Sequence, residues 1–283
     1  MKRIALILFS GIFFACSSKG KTLDNVGGSK DSTKKDEVIT PAVPARYNLV
    51  WSDEFDVNGI PDSSKWVFAG RSTPFWQQYC TDRDAVRYVQ GGYLYLKGIK
   101  NTDTPADTAT YHTGCICTLD KYDFLYGKVE VKVKFEKTGK GAWPAIWMMP
   151  KNKEYGPWPK SGEIDIMERI NTQRFVHQTV HTYYTKNGGA NDPLNTQKTI
   201  FSQPDFNIFR LEWTPDSLIF SMNDSITLVY LKKPNADYEK WPFDKSFYLI
   251  LNQAAGGQWP GPVTDTELPF IMAVDWVRIY QKQ

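Results

Sequence analysis

Glu163, Asp165 and Glu168 fall within six residues, interleaved with Ile164, Ile166 and Met167 and preceded by Gly162. Cleavage of a glycosidic bond needs two carboxyl groups, one ionised to attack the anomeric carbon and one protonated to release the leaving oxygen. Alternate side chains of a β-strand share a face. Glu163 and Asp165 therefore point one way, while Ile164 and Ile166 point into a core. Glu168 has the wrong parity for the acid face. A β-bulge at about Ile166-Met167 restores it and gives a row of three acids on one sheet face. The plain alternative is a solvated strand edge, and the segment alone does not decide between the two.

The surroundings favour chemistry. The chain holds 10 Trp and 15 Tyr, and Trp143, Trp147 and Trp158 come shortly before the acids. Sugar rings present apolar C–H faces, so aromatic platforms along a groove suit them. About half of the Trp residues are expected in the core instead, with Trp51, Trp213 and Trp276 assigned there.

Positioning the acids requires a sheet, and the sequence is full of strands. Leu49–Trp51, Tyr93–Leu96, Lys128–Phe135, Phe209–Trp213, Ser217–Met222, Phe247–Leu251 and Val274–Tyr280 are short apolar runs between turn residues. Lys128–Phe135 alternates charge and apolar residue throughout, the mark of a half-buried strand. Tyr248–Leu251 reads as a central strand buried on both sides. No useful helical period follows the first residues, and no βαβ spacing occurs. The fold class is all-β: an antiparallel β-sandwich of jelly-roll type with a concave substrate cleft.

With 283 residues, 41% of them hydrophobic, the chain can bury one substantial core. A net charge of +3 with scattered Lys and Arg leaves no electrostatic footprint for nucleic acid. Lys2 and Arg3, then the apolar stretch Ile4–Phe14, form an export signal too short to span a bilayer as a helix. It ends in Phe13-Phe14-Ala15-Cys16, which resembles a bacterial lipobox, so Cys16 is the expected lipidation site. The boundaries read as a signal peptide over 1–15, a flexible tether over 16–45 and a single domain over 46–283. The protein is expected as an exported bacterial lipoprotein, at the outer membrane or cell surface, and as a monomer. Three cysteines remain, Cys80, Cys115 and Cys117. One disulfide to Cys80 is open to them, but buried thiols are the preferred reading, and C-x-C without neighbours is a poor zinc signature.

Several segments taken together resemble glycoside hydrolase family 16, the laminarinase and β-1,3(4)-glucanase family with a concanavalin A-like jelly roll. They are Leu49–Asp56, Gly141–Pro150, Trp158–Glu168, Trp241–Asp244, Gly256–Gly261 and Val274–Tyr280. The resemblance runs from about Leu49 to the C-terminus. It implies Glu163 as nucleophile, Glu168 as general acid/base and Asp165 as the assisting carboxylate between them, with no cofactor required for catalysis. It implies further that His181 lines the cleft and that Trp76, Trp143, Trp147, Trp158, Asn252 and Trp259 bind substrate, whereas His177 is expected on the surface. Glu54, the Gly92 carbonyl and Asp275 match the family's structural calcium site.

One departure limits the substrate. Family glucanases carry an Asn pair and a Glu in a segment that here reads Thr73-Pro74-Phe75-Trp76-Gln77-Gln78-Tyr79-Cys80. A site built to bond one hydroxyl discriminates strongly when that hydroxyl moves. β-1,3(4)-Glucan is the default substrate and an endo-β-1,4-galactosidase on lactosamine-type or mucin O-glycan chains is the runner-up. A non-catalytic surface glycan-binding protein is the alternative from another class, and a transglycosylase would use the same acids.

Overall fold

Alternation makes β7 (Gly127–Lys137) the clearest strand in the sequence, and it lies at the centre of one of two sheets. Its inward Val129, Val131 and Val133 are 1%, 0% and 0% exposed. Burying each such side chain stabilises the fold by roughly 1.5–3 kcal/mol. Outward-facing Glu130 is nevertheless buried, because Arg210 Nε and Lys128 Nζ hold it at 2.7 and 3.0 Å.

The computed structural model describes residues 46–283 apart from 190 and 202–204. The signal expected over 1–15, Cys16 and the tether over 16–45 lie outside the described residues. The chain forms β1 (Tyr47–Asp53), β2 (Val67–Phe68), then the β3–β4 hairpin (Arg87–Gln90 and Tyr93–Lys100). Gly91 and Gly92, at φ of +61° and +82°, make its two-residue turn. β5 (Tyr111–Thr113), β6 (Cys115–Cys117), β7, β8 (Ala142–Pro150), β9 (Glu163–Glu168) and β10 (Phe175–His181) follow. After the one-turn α1 (Tyr183–Lys186) come β11 (Thr196–Ile200), β12 (Asn207–Trp213), β13 (Ser217–Met222) and β14 (Ser225–Leu231). β15 (Phe247–Ala255) and β16 (Phe270–Lys282) close the fold.

One sheet has nine strands, in the order β14-β13-β12-β7-β16-β4-β3 with β1 on β16 and β5 on β4. The other has seven, in the order β11-β10-β9-β8-β15-β6-β2. Antiparallel pairing joins neighbours in both, as a jelly roll requires. One main core lies between the sheets, drawing Val131, Phe209 and Val277 from the first and Ile146, Ile164, Ile166, Met167 and Leu251 from the second. β15 sits between β8 and β6 with Leu249, Ile250 and Leu251 at 0%, 2% and 0% exposure, the expected central strand.

Two expectations are corrected. Cys80 and Cys115 form a disulfide with Cα atoms 5.9 Å apart, and Cys117 alone among the described residues remains a buried thiol. The cause is local. Thr113 N–H donates to the Tyr79 carbonyl and Thr81 N–H to the Thr113 carbonyl, which carries Cys80 alongside the residues leading into β6. Trp276 is half-buried on the outer face of the nine-stranded sheet, where the Arg278 guanidinium lies 4.1 Å from its ring centre, and it is no core residue.

Candidate active site

β9 begins where only glycine fits. Gly162 has a φ of +85°, and a Cβ there would stand 2.8 Å from Pro242 and 2.9 Å from Phe243. From that fixed start, Glu163, Asp165 and Glu168 meet both neighbouring strands in register. Trp147 pairs with Asp165, Ile146 with Met167 and Ala145 with Glu168, so Ile166 is the extra residue of a bulge. On the other side His181 pairs with Glu163, Thr179 with Asp165 and His177 with Glu168. The bulge turns Ile164, Ile166 and Met167 into the core at 0% exposure and leaves the acids on the outer face. The result is a lattice three strands wide: Trp147, Ala145 and the nearby Trp143 on β8, three carboxylates on β9, and His181, Thr179 and His177 on β10.

This face is hard on negative charge. Burial, with the charge on Asp165 adding to it, pushes Glu163 and Glu168 up to about 8, and burial pushes Asp165 up to about 7. Opposing groups are few. His181 and a hydrogen bond from Trp158 favour ionised Glu163, while Trp143 Nε1 donates to Glu168 Oε1 at 3.0 Å and favours ionised Glu168. His181 Nε2 lies 3.5 Å from Glu163 Oε1 and 3.1 Å from Asp165 Oδ2. The second contact is electrostatic only: Asp165 Oδ2 and His181 Nδ1 are buried without a hydrogen-bond partner among the described residues. Burial lowers the His181 pKa, and the neighbouring Glu163 and Glu168 act against that shift. The three carboxyl groups hold fewer than three charges at neutral pH and titrate as one cluster.

The aromatic residues separate by depth. Trp158 and Trp259 are 49% and 42% exposed, and Trp143 stands edge-on to Trp259 with ring centres 5.6 Å apart. Trp76 is half-buried, edge-on to Trp147 at 4.8 Å. Trp147, expected as a platform, is 7% exposed beneath it, its indole N–H donating to Asn252 Oδ1 at 2.8 Å. Asn252, expected to bind substrate, is fully buried and fixes that indole instead. His177, expected on the surface, belongs to the lattice beside Glu168, with its ring 4.9 Å from that of Trp259. Its even spacing from Thr179 and His181 was the signal available for it. Phe75, in the segment expected to limit the substrate, is 49% exposed, and a Cβ on Gly257 would meet it at 3.1 Å.

Glycosyl hydrolases family 16 matches over residues 81–278. The chain belongs to this family. It is 38% identical to the keratan-sulfate endo-1,4-beta-galactosidase of Sphingobacterium multivorum over 98% of this chain, and it spans 66% of that protein. The X-ray structure of the laminarinase from Rhodothermus marinus superposes with a TM-score of 0.76 at 32% identity, covering 85% of this chain and all of that one (100%). A structure from work on endo-acting O-glycanases of the human gut microbiota that initiate mucin breakdown gives a TM-score of 0.72 at 30% identity, covering 82% of this chain and 98% of that one.

Family 16 chemistry needs no catalytic cofactor, since two carboxyl groups suffice. The residues matched to the family's calcium site do not fit a cation here. Both oxygens of Glu54 are taken by Arg278, at 3.0 and 2.8 Å, and Asp275 pairs with Lys132 Nζ at 2.6 Å. Oxygen atoms held by guanidinium and ammonium groups are not available as calcium ligands. Glu163, Asp165 and His181 could bring ligand atoms within 4.8 Å of one another, but these are also the groups of the acid row. A cavity of about 530 Å³ is lined by Asp53, Glu54, Asp56, Asp62 and Lys65 among others and shares no residue with that row. Glu163 and Glu168 are half-buried on the outer sheet face, and Asp165 between them is 2% exposed.

Proposed function

We propose that this chain is a retaining endo-β-glycanase acting by double displacement, with Glu163 as nucleophile and Glu168 as acid/base. The bulge at Ile166 carries the proposal, because it places all three carboxyl groups on one face between Trp143 and His181. Glu163 has a nearby imidazole and the Trp158 hydrogen bond to favour its ionised form. Glu168 holds the proton. Its Oε1 already accepts from Trp143, so the proton sits on Oε2 and is delivered from there to the leaving oxygen. Glu163 attacks the anomeric carbon and forms a glycosyl ester. Glu168, now a carboxylate, takes a proton from water as that water breaks the ester, and two inversions leave the configuration retained. Asp165 shares a proton with Glu163 and moves it out of the way of attack.

For the substrate, a lactosamine-type β-galactosyl chain is the first reading. The 38% identity with the keratan-sulfate endo-1,4-beta-galactosidase over 98% of the chain supports it. So does the Phe75-Trp76-Gln77-Gln78 segment, which lacks the glucanase Asn pair and Glu and is clamped by the Cys80–Cys115 disulfide. β-1,3(4)-Glucan is the second reading, favoured by the TM-score of 0.76 with a laminarinase. Export with a lipid anchor at Cys16 and a tether over 17–45 completes the proposal. Incubation with laminarin, mixed-linkage glucan, agarose-type galactan and lactosamine-type chains, followed by sizing and anomeric NMR of the products, tests it. Internal cuts with initial β-products are expected, and no cleavage of any chain would overturn the glycanase reading.

A further inference from the structure

Lys160 lies three residues before Glu163, and Lys186 stands on α1 just after His181, which pairs with Glu163. Lys186 Nζ lies 5.2 Å from the ring centre of Trp158, whose indole in turn lies 6.1 Å from the His181 ring. Lys160 Nζ lies 5.3 Å from the ring centre of Tyr183. Neither ammonium forms an ion pair among the described residues, whereas Lys151 pairs with Asp120 and Lys233 with Asp192. The support beneath them is firm. Thr182 and Thr185 cap α1 reciprocally, with hydrogen bonds of 2.9 and 3.1 Å, and set Tyr183 and Lys186 on one side of its single turn.

We propose that Lys160 and Lys186, with Trp158 and Tyr183 as ring platforms, form a subsite for an anionic substituent, a sulfate ester or a sugar carboxylate, on the glycan beside Glu163. This rests on the glycanase reading above. A face with three carboxyl groups repels an anionic chain, and the repulsion is strong where burial lowers the effective dielectric. The two ammonium groups offset it. The field of Lys186 already reaches the row, favouring ionised Asp165 and Glu168. Ammonium groups resting on aromatic rings keep their donors free for an anion while the rings hold the apolar face of the sugar. The Trp76 wall lies on the other flank of the acids, packed with Cys117 of β6 and Trp147 of β8, so the cationic rim and that wall read different parts of one chain.

The test uses one β-linked chain prepared in neutral, sulfated and carboxylate-bearing forms, turned over by the full chain and by the Lys160→Met, Lys186→Met double variant at low ionic strength. Met keeps the apolar stem over the ring and removes the charge. The parent protein is expected to favour at least one anionic form over the neutral one by about ten-fold in kcat/KM, the equivalent of one charge-assisted contact. Added salt should erode that preference. In the double variant the anionic-to-neutral ratio is expected to fall to about one, and the preferred arm names the substituent. An unchanged ratio in the double variant, or a parent that prefers the neutral chain, overturns the subsite. Parent protein that cleaves none of the three overturns the glycanase reading, and the subsite with it.

Discussion

At the scale of single residues the balance lies between burial, which keeps carboxyl groups protonated, and the few donors that favour their charge. Glu168 is held up to about 8, well above an ordinary glutamate near 4.3. Below about pH 4 the group is protonated both folded and unfolded and costs nothing. Above about pH 8 the folded state must bury a charge that the unfolded chain leaves in water, so stability falls as pH rises through this window. Glu168→Gln is therefore expected to raise the melting temperature by several degrees at pH 9, from a gain of about 1–3 kcal/mol after discounting for its partial exposure, and to change it little at pH 4. A gain confined to pH 4 would contradict the assignment. Trp143→Phe removes the N–H that accompanies ionised Glu168. The proton is then held more tightly, and the alkaline limb of kcat/KM should move to higher pH by about half a unit to one unit. A pH–rate profile that stays put or moves down would separate Trp143 from proton transfer. Parity revealed which side chains share this face, but not how deep each lies. Trp147 is hidden because Trp76, remote in sequence, packs edge-on against it, and Asn252 is buried holding the Trp147 indole; no local pattern in β8 or β15 reports that.

At the scale of elements the acid strand was legible in unusual detail. Three acids with one residue too many between the second and third demand a bulge, and β9 has it at Ile166. Lys128–Phe135 and Tyr248–Leu251 declared themselves by alternation and by continuous apolarity. Two- and three-residue strands such as β2 and β5 gave no period to read. The disulfide was missed for a similar reason, since nothing in the sequence places Cys80 beside β6. It matters for the substrate wall, because it closes 35 residues and clamps the end of the Thr73–Cys80 segment. Cys115→Ser is expected to cost about 2–4 kcal/mol of stability. Kinetic loss on chains should exceed that on short aryl glycosides, because Trp76 loses its fixed seat. Equal kcat/KM ratios for long and short substrates in parent and variant would mean that the clamp does not shape the wall.

At the scale of the whole molecule, strand count, the absence of a helical period and ordered family motifs were enough to place a jelly roll of two sheets. The convex side was less legible: the match of Glu54, Gly92 and Asp275 to a calcium site could not foresee that Arg278 and Lys132 take the carboxylates. Attachment is a separate question, carried by residues before the folded domain. Cys16→Ser is expected to move the protein from the membrane fraction to the soluble fraction, since no helix among the described residues is long and apolar enough to cross a bilayer. Retention with membranes at high salt would refute the lipid anchor. The division of labour on β9 has a more direct test, in which a small nucleophile replaces the missing carboxylate. Glu163→Ala supplied with azide and an activated β-glycoside should yield the α-glycosyl azide, because azide attacks from the face that Glu163 vacates. Glu168→Ala should instead give the β-glycosyl azide, formed from an intact glycosyl ester on Glu163. An α-azide from Glu168→Ala, or a β-azide from Glu163→Ala, would contradict Glu163 as nucleophile and Glu168 as acid/base.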